Sequence, residues 1–170
     1  MIELKGAGGA PTPSLIESVR RSTDPFVAAS SSLIIDVALG TLRAERLGKR
    51  RDGWLFTDKM AEQCTHPRIA AHHAVPFTGR EHVLEICTGA GLDAAALAAV
   101  SGRVTSFEAD PIIADITAGN LHRTGITNVD VVRSAWPPCD AVDNTYDGVW
   151  ADPSRRSVRG RQRSGATYEP

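Results

Sequence analysis

Residues 82–91, HVLEICTGAG, decide the fold, because they join a short β-type run to a glycine turn that leads into a helix. Gly89 and Gly91 carry no Cβ, so a ligand can approach the backbone N–H groups of the turn. Such a turn between a strand and a helix is typical of a nucleotide site. The stretch therefore predicts that a nucleotide binds here, without identifying which one.

The residues after the turn alternate between helical and strand patterns. An alanine-rich helix (91–100) is followed by a strand (104–109), and Pro111 begins a second helix that ends before Gly125. Two further strands are predicted at 128–134 and 147–152. Strands that alternate with helices of this length indicate βαβ units, and hence an α/β fold with a parallel sheet and right-handed crossovers.

The residues before the turn have a helical pattern. Ser14 and Glu17 form an S-x-x-E capping box, and Asp24 followed by Pro25 predicts the start of a longer helix. Thr57 is expected to cap a third helix, and Pro67 to begin a fourth. The predicted organisation is a helical segment at 1–80, part of an α/β domain at 81–156, and an arginine-rich flexible tail at 157–170.

Composition narrows the range of functions. The 170 residues carry a net charge of −1 and 42% hydrophobic residues, which predicts a soluble globular chain without a nucleic-acid-binding surface over its whole exterior. No apolar run approaches the roughly 20 residues that span a bilayer. The three cysteines suggest neither a disulfide framework nor a zinc site, and indicate a reducing cytoplasm. The adjacent His72 and His73 point to different helix faces, so no metal site is expected, and one buried and one exposed ring are predicted.

Two kinds of nucleotide fit the turn. Gly89, Gly91 and Ala94 satisfy G-x-G-x-x-A, and Glu108 follows about 20 residues later, which agrees with a dinucleotide such as NAD. Glu85, however, places a carboxylate inside the first strand, where a dinucleotide site is normally apolar. A carboxylate favours a ligand with a cationic end. S-adenosylmethionine, which carries an ammonium and a sulfonium but no phosphate, therefore becomes the first hypothesis.

The segments VLEICTGAG (83–91), FEADP (107–111) and YDGVWADPSRR (146–156) resemble motifs of class I S-adenosylmethionine-dependent methyltransferases. This resemblance implies a Rossmann-like sheet and S-adenosylmethionine as cofactor. Cys87 stands where the family usually has glycine, and Glu108 would accept hydrogen bonds from the ribose hydroxyls. The cofactor-binding residues implied by the resemblance are Glu85, Cys87, Gly89, Gly91, Glu108 and Ala109.

The fourth motif concerns the methyl acceptor. Asp152 and Pro153 would hold an exocyclic amine, while Arg155 and Arg156 would contact an acceptor phosphate. Ser134 and Ala135 follow the third strand, where the family usually has an acidic residue that meets adenine. DPSRR, together with residues 54–77, is similar to a bacterial branch with a C-terminal THUMP-like domain, which is related to RNA cap guanine-N2 methyltransferases. RNA is the partner that this resemblance implies.

The strand count raises an alternative. A doubly wound methyltransferase sheet has about seven strands, whereas this chain supplies four before an arginine-rich end. We therefore expect a truncated domain with an open sheet edge that favours self-association. A non-catalytic remnant that binds the cofactor weakly, or only self-associates, is the competing hypothesis, and an NAD-binding domain is the third.

Overall fold

The structure, a computed structural model, describes residues 11–137 and 145–153, together with the backbone of 156–157 and 160–161. The chain divides into two compact units between Glu62 and Gln63. The predicted boundary after residue 80 differs from this division. Helix α5 (Pro67–Ala74) belongs with the sheet because it packs against α6 (Leu92–Ala98), which follows the glycine turn.

The first unit is helical and contains α1 (Pro13–Arg20), α2 (Pro25–Ala29), α3 (Ser31–Arg46) and most of α4 (Asp58–Gln63). The N-cap of α1 is Thr12, whose hydroxyl accepts a hydrogen bond from Leu15 N at 3.3 Å. The predicted capping box at Ser14 is therefore wrong, because Pro13 occupies the first helical position and moves the cap two residues earlier. Asp24 caps α2 as predicted.

Gly40 is the residue of α3 that the loop before α4 requires. A Cβ at this position would lie 2.2 Å from the carbonyl carbon of Thr57, so only glycine allows the loop backbone this close to the helix. Thr57 then caps α4 as predicted, accepting a hydrogen bond from Met60 N at 3.2 Å. The helical pattern that begins at Asp24 is interrupted at Ser30 and not at Gly40.

The second unit holds a parallel sheet and its flanking helices. After α5, a 3₁₀ turn (Val75–Phe77) leads to the sheet, and the order along the chain is β1 (His82–Ile86), α6, β2 (Arg103–Glu108), α7 (Pro111–Arg123), β3 (Val129–Arg133) and β4 (Gly148–Ala151). The strand order is β3-β2-β1-β4, with every neighbouring pair parallel. This is the order of the first four strands of a doubly wound sheet. The predicted Rossmann-like α/β fold is confirmed.

The core of this unit lies between the sheet and the helices on one of its faces. Ala74 of α5 and Leu97 of α6 contact Val83 and Val104, which lie on the two central strands, and all four are buried. At the beginning of β1, the carboxylate of Asp147 accepts hydrogen bonds from Glu81 N at 2.8 Å and His82 N at 3.0 Å. These backbone hydrogen bonds hold the pKa of Asp147 below its ordinary value. They join the beginnings of β1 and β4.

Beyond β4, two short strands, β5 (Arg156–Ser157) and β6 (Gly160–Arg161), pair antiparallel. Part of the predicted flexible tail therefore has regular backbone structure. The other residues of that tail lie outside the described part of the chain.

Candidate functional site

The glycine turn lies at the carboxyl edge of the sheet, between β1 and α6. Cys87 has a φ of 66°, Gly89 of 54° and Gly91 of 83°, so three residues of the turn adopt left-handed backbone conformations. The turn is anchored to β2, because Cys87 N and Thr88 N both donate to the carbonyl oxygen of Phe107, at 3.0 and 3.1 Å. A Cβ added at Gly89 would meet nothing within 4 Å, which leaves open space beside the turn.

Glu85 lies beneath this turn with only 1% of its surface exposed. One carboxylate oxygen, Oε2, accepts hydrogen bonds from the hydroxyls of Thr88 at 2.7 Å and Ser106 at 2.5 Å. Burial raises the pKa of Glu85 to about 7, the two hydroxyls oppose the rise, and the charges of Asp93 and Glu108 add to it. Glu85 therefore holds the turn from below through Thr88, without reaching the surface.

Glu108 ends β2 and is half-buried. Its Oε2 accepts a hydrogen bond from Gly89 N at 3.0 Å, and its Oε1 accepts one from Asp110 N at 3.0 Å. Asp110, and not Glu108, caps α7, because its carboxylate accepts from the N–H groups of Ile112 and Ile113. Glu108 thus ties the second strand to the glycine turn, and the neighbouring Ala109 is exposed.

Cys87 lies among acidic side chains. Burial raises the pKa of its thiol above the ordinary value, and the charges of Glu108, Asp152 and Glu85 raise it further. The thiol is therefore protonated at neutral pH, which argues against a nucleophilic role. Asp152 is exposed just beyond β4, where its N–H extends the pairing to Ile86 O at 3.4 Å.

The remaining predicted residues are distributed around this edge. Pro153 follows Asp152 and is partly buried, while Ser134 and Ala135 follow β3. Arg155 lies outside the described residues, and of Arg156 only the backbone is described. Contact between these arginines and a phosphate stays a prediction.

Several contributors to the turn were not identified from the sequence. The hydroxyl of Thr117 on α7 donates to Gly89 O at 2.5 Å, and this residue is fully buried. The hydroxyls of Thr88 and Ser106 donate hydrogen bonds to Glu85. Ser106 could have been noticed as a polar residue in the middle of β2, a strand that is buried at four of its six positions. No comparable signal marks Thr117, because a threonine within a helix is more often a surface residue.

Within 11–137 and 145–153, no group of three or more His, Cys, Asp or Glu side chains could hold a metal ion. None of the described helices is long and apolar enough to cross a membrane.

The fold and this site define a doubly wound α/β protein with an acidic glycine turn at the carboxyl edge of its sheet. No protein-family model matches the chain. A protein-L-isoaspartate O-methyltransferase of Methanoculleus marisnigri is 48% identical over 91 residues, which cover 50% of this chain and 40% of the relative. An uncharacterized S-adenosylmethionine-dependent methyltransferase of Mycobacterium tuberculosis is 32% identical over 119 residues, or 69% of this chain and 31% of the relative.

A third relative, a protein-L-isoaspartate O-methyltransferase of Methanococcus maripaludis, is 29% identical over 74% of this chain and 64% of its own length. The chain therefore spans less than two thirds of each of these relatives. Among solved structures, a tRNA (m1A58) methyltransferase of Aquifex aeolicus matches with a TM-score of 0.49 and 21% identity, covering 66% of this chain and 42% of that one. The sequence relatives confirm the predicted relationship to S-adenosylmethionine-dependent methyltransferases.

Proposed function

We propose that the chain binds S-adenosylmethionine at the carboxyl edge of its sheet and takes part in methyl transfer. The observation that carries this proposal is the concentration of carboxylates around the turn. Asp93 and Glu108 both act on buried Glu85 through their charge, and Asp152 and Glu108 act on Cys87. Within the described part of the chain, neither Glu85 nor Glu108 forms an ion pair with a basic side chain. Such a cluster attracts a cationic ligand and repels a diphosphate.

The residues at the end of β2 fit the sugar of such a cofactor. Each oxygen of Glu108 accepts one backbone N–H, and an ionised carboxylate offers about four acceptor positions in total. Glu108 therefore keeps the capacity to accept two ribose hydroxyls. The open space beside Gly89 allows the ligand to approach the turn backbone.

When bound, S-adenosylmethionine supplies a methyl group activated by a positively charged sulfur. The chain then has mainly to align the acceptor atom with the methyl carbon and the sulfur, since displacement at that carbon needs little covalent assistance. Asp152 lies exposed at the end of β4, within electrostatic reach of the turn, where its carboxylate would accept hydrogens from an acceptor amine and orient the nitrogen. Cys87, with its protonated thiol, would line the site without reacting.

For the acceptor we propose an exocyclic amine of an RNA base, in a branch with a THUMP-like C-terminal domain. The support is the combination of DPSRR with the helical residues 54–77. The alignment with the Mycobacterium tuberculosis relative, over 119 residues, is longer than everything that follows residue 80, so it includes part of the helical segment. The relatives named as protein-L-isoaspartate O-methyltransferases favour a second candidate, a carboxylate acceptor in a protein.

A transfer assay distinguishes these candidates. The chain is incubated with methyl-labelled S-adenosylmethionine and either bulk RNA or an isoaspartyl peptide, beside an Asp152→Ala variant, which has no side-chain acceptor. We expect label in RNA and at least a tenfold loss in the variant. Label in the peptide alone would support the second candidate. Cofactor binding without transfer to either would favour the non-catalytic alternative.

Self-association through the sheet edge stays a prediction that can be measured separately. β4 is an outer strand, and Val149 on it is 58% exposed. We expect light scattering after gel filtration to give a mass above that of one chain, and Val149→Lys to lower it. A monomer at all concentrations would contradict the prediction.

A further inference from the structure

His73 joins helix α5 to the first turn of α6, directly after the glycine turn. Its Nδ1 lies 3.0 Å from Oδ1 of Asp93, the second residue of α6. Asp93 is 8% exposed, and its charge acts on Glu85 beneath the turn. Because an ionised carboxylate only accepts hydrogen bonds, Nδ1 of His73 must carry the proton that joins the two side chains.

The ring of His73 is held from a second side by β4. Its centroid lies 4.5 Å from that of Trp150, with 35° between the planes, and Trp150 in turn meets Phe77 edge to face at 6.3 Å. Trp150 packs against the core, so it provides a fixed support for the ring. His72, the preceding residue on the same helix, is exposed and makes none of the ring contacts described for His73.

The first turn of α6 has no side-chain cap hydrogen bond. The N-cap is Gly91, which has no side chain to accept from the first N–H groups of the helix. Asp93 lies in the first turn, where a carboxylate is favoured by the helix dipole, but its burial near Glu85 is unfavourable unless it has a hydrogen-bond partner. His73 provides that partner.

We propose that His73 is a positioning residue for the cofactor site: held against Trp150, it fixes Asp93 and thereby the geometry of the glycine turn. The inference depends on the proposed binding of S-adenosylmethionine. Helix α5 precedes the sheet in the chain and lies outside the sequence motifs. The inference gives this helix a part in the cofactor site.

Two substitutions separate the two contacts of the ring. His73→Phe keeps a ring against Trp150 and removes the hydrogen bond to Asp93, whereas His73→Asn keeps a donor close to the position of Nδ1 and removes the ring. Calorimetric titration with S-adenosylmethionine is the measurement. We expect His73→Phe to raise the dissociation constant about tenfold and His73→Asn to raise it about threefold or less. His72→Phe is the matched control and should leave it unchanged.

A double-mutant cycle with Asp93→Asn tests whether His73 affects cofactor binding through Asp93. If His73 acts through Asp93, adding His73→Phe to Asp93→Asn should change the dissociation constant by less than about twofold. A dissociation constant for His73→Phe equal to or below that of the unchanged chain would overturn the inference, as would full additivity in the cycle. If the unchanged chain does not bind S-adenosylmethionine at all, it is the proposed function that fails, and the thermal midpoints of the variants then report only on stability.

Discussion

The helical unit before Gln63 and the glycine turn of the sheet unit use charged side chains in different ways. In the helical unit, Arg43 binds Asp58 at 2.6 Å, and Lys49 donates to the carbonyl oxygens of Ala61 and Glu62 at the end of α4. At the glycine turn, Glu85 accepts hydrogen bonds from hydroxyls, Glu108 accepts them from backbone N–H groups, and the charge of Glu108 raises the pKa of Glu85. In the helical unit, opposite charges are paired and stabilise the helices. At the glycine turn, carboxylates lie close to one another, which costs stability and indicates a ligand site.

The largest predicted effect is a loss of folding stability in the helical unit. Gly40→Ala would place a Cβ against the Thr57 backbone, which cannot move aside, and we expect a loss of about 3 kcal/mol in the free energy of unfolding. Urea denaturation followed by circular dichroism measures it. Gly119→Ala in α7 is the control, since its Cβ would meet only the flexible end of Arg123. Equal stability of the two variants would contradict the prediction.

Within the sheet unit, a proposed ligand-binding carboxylate can be compared with a structural one. The two are Glu108 and Asp110, which are two residues apart in the sequence. Glu108→Gln should weaken S-adenosylmethionine binding about a hundredfold, because the charge and one acceptor are lost at the proposed ribose contact. Asp110→Ala should instead cost about 1 kcal/mol of stability as a lost helix cap, with little effect on binding. Titration calorimetry and denaturation of both variants test this pair. A large binding loss in Asp110→Ala alone would reverse the assignment.

Buried Glu85 predicts a pH dependence of stability. Its pKa in the folded chain, about 7, lies above the ordinary 4.5, so the folded chain holds a proton that the unfolded chain releases. This contribution to stability is complete below about pH 4.5 and is lost as the pH rises through 7, a change of about 3 kcal/mol. Glu85→Gln should remove it. Denaturation at pH 5, 6, 7 and 8 measures the difference, and equal pH slopes for the variant and the unchanged chain would contradict it.

The smallest predicted effect concerns the thiol of Cys87. Because burial and three carboxylates raise its pKa, little thiolate is present at neutral pH. We expect alkylation by iodoacetamide, followed by peptide mass spectrometry, to be about tenfold slower at Cys87 in the folded chain than in the unfolded chain. Alkylation that is faster in the folded chain would indicate an activated thiol and would contradict the prediction.

Local patterns predicted the order of strands and helices well. Pro111 and Asp110 mark the beginning of α7, and the alternation of strands with helices correctly indicated the parallel pairing of the sheet. The cap of α1 was misassigned because Thr12 and Ser14 are both suitable residues, and only the position of Pro13 separates them.

The candidate site was only partly predictable, for a physical reason. Glu85, Gly89 and Glu108 belong to contiguous motifs, so their residue types identify them. The contacts of Thr117 with Gly89 and of His73 with Asp93 join residues 28 and 20 positions apart, and depend on how helices pack. No local pattern records such contacts, because tertiary packing alone brings these residues together.

The most direct test is calorimetric titration of the unchanged chain with S-adenosylmethionine, and separately with NAD, in the same buffer. The gathered carboxylates predict saturable binding of the sulfonium compound at one site per chain and no detectable binding of the diphosphate. Saturable binding of NAD, or no heat with S-adenosylmethionine, would contradict the account.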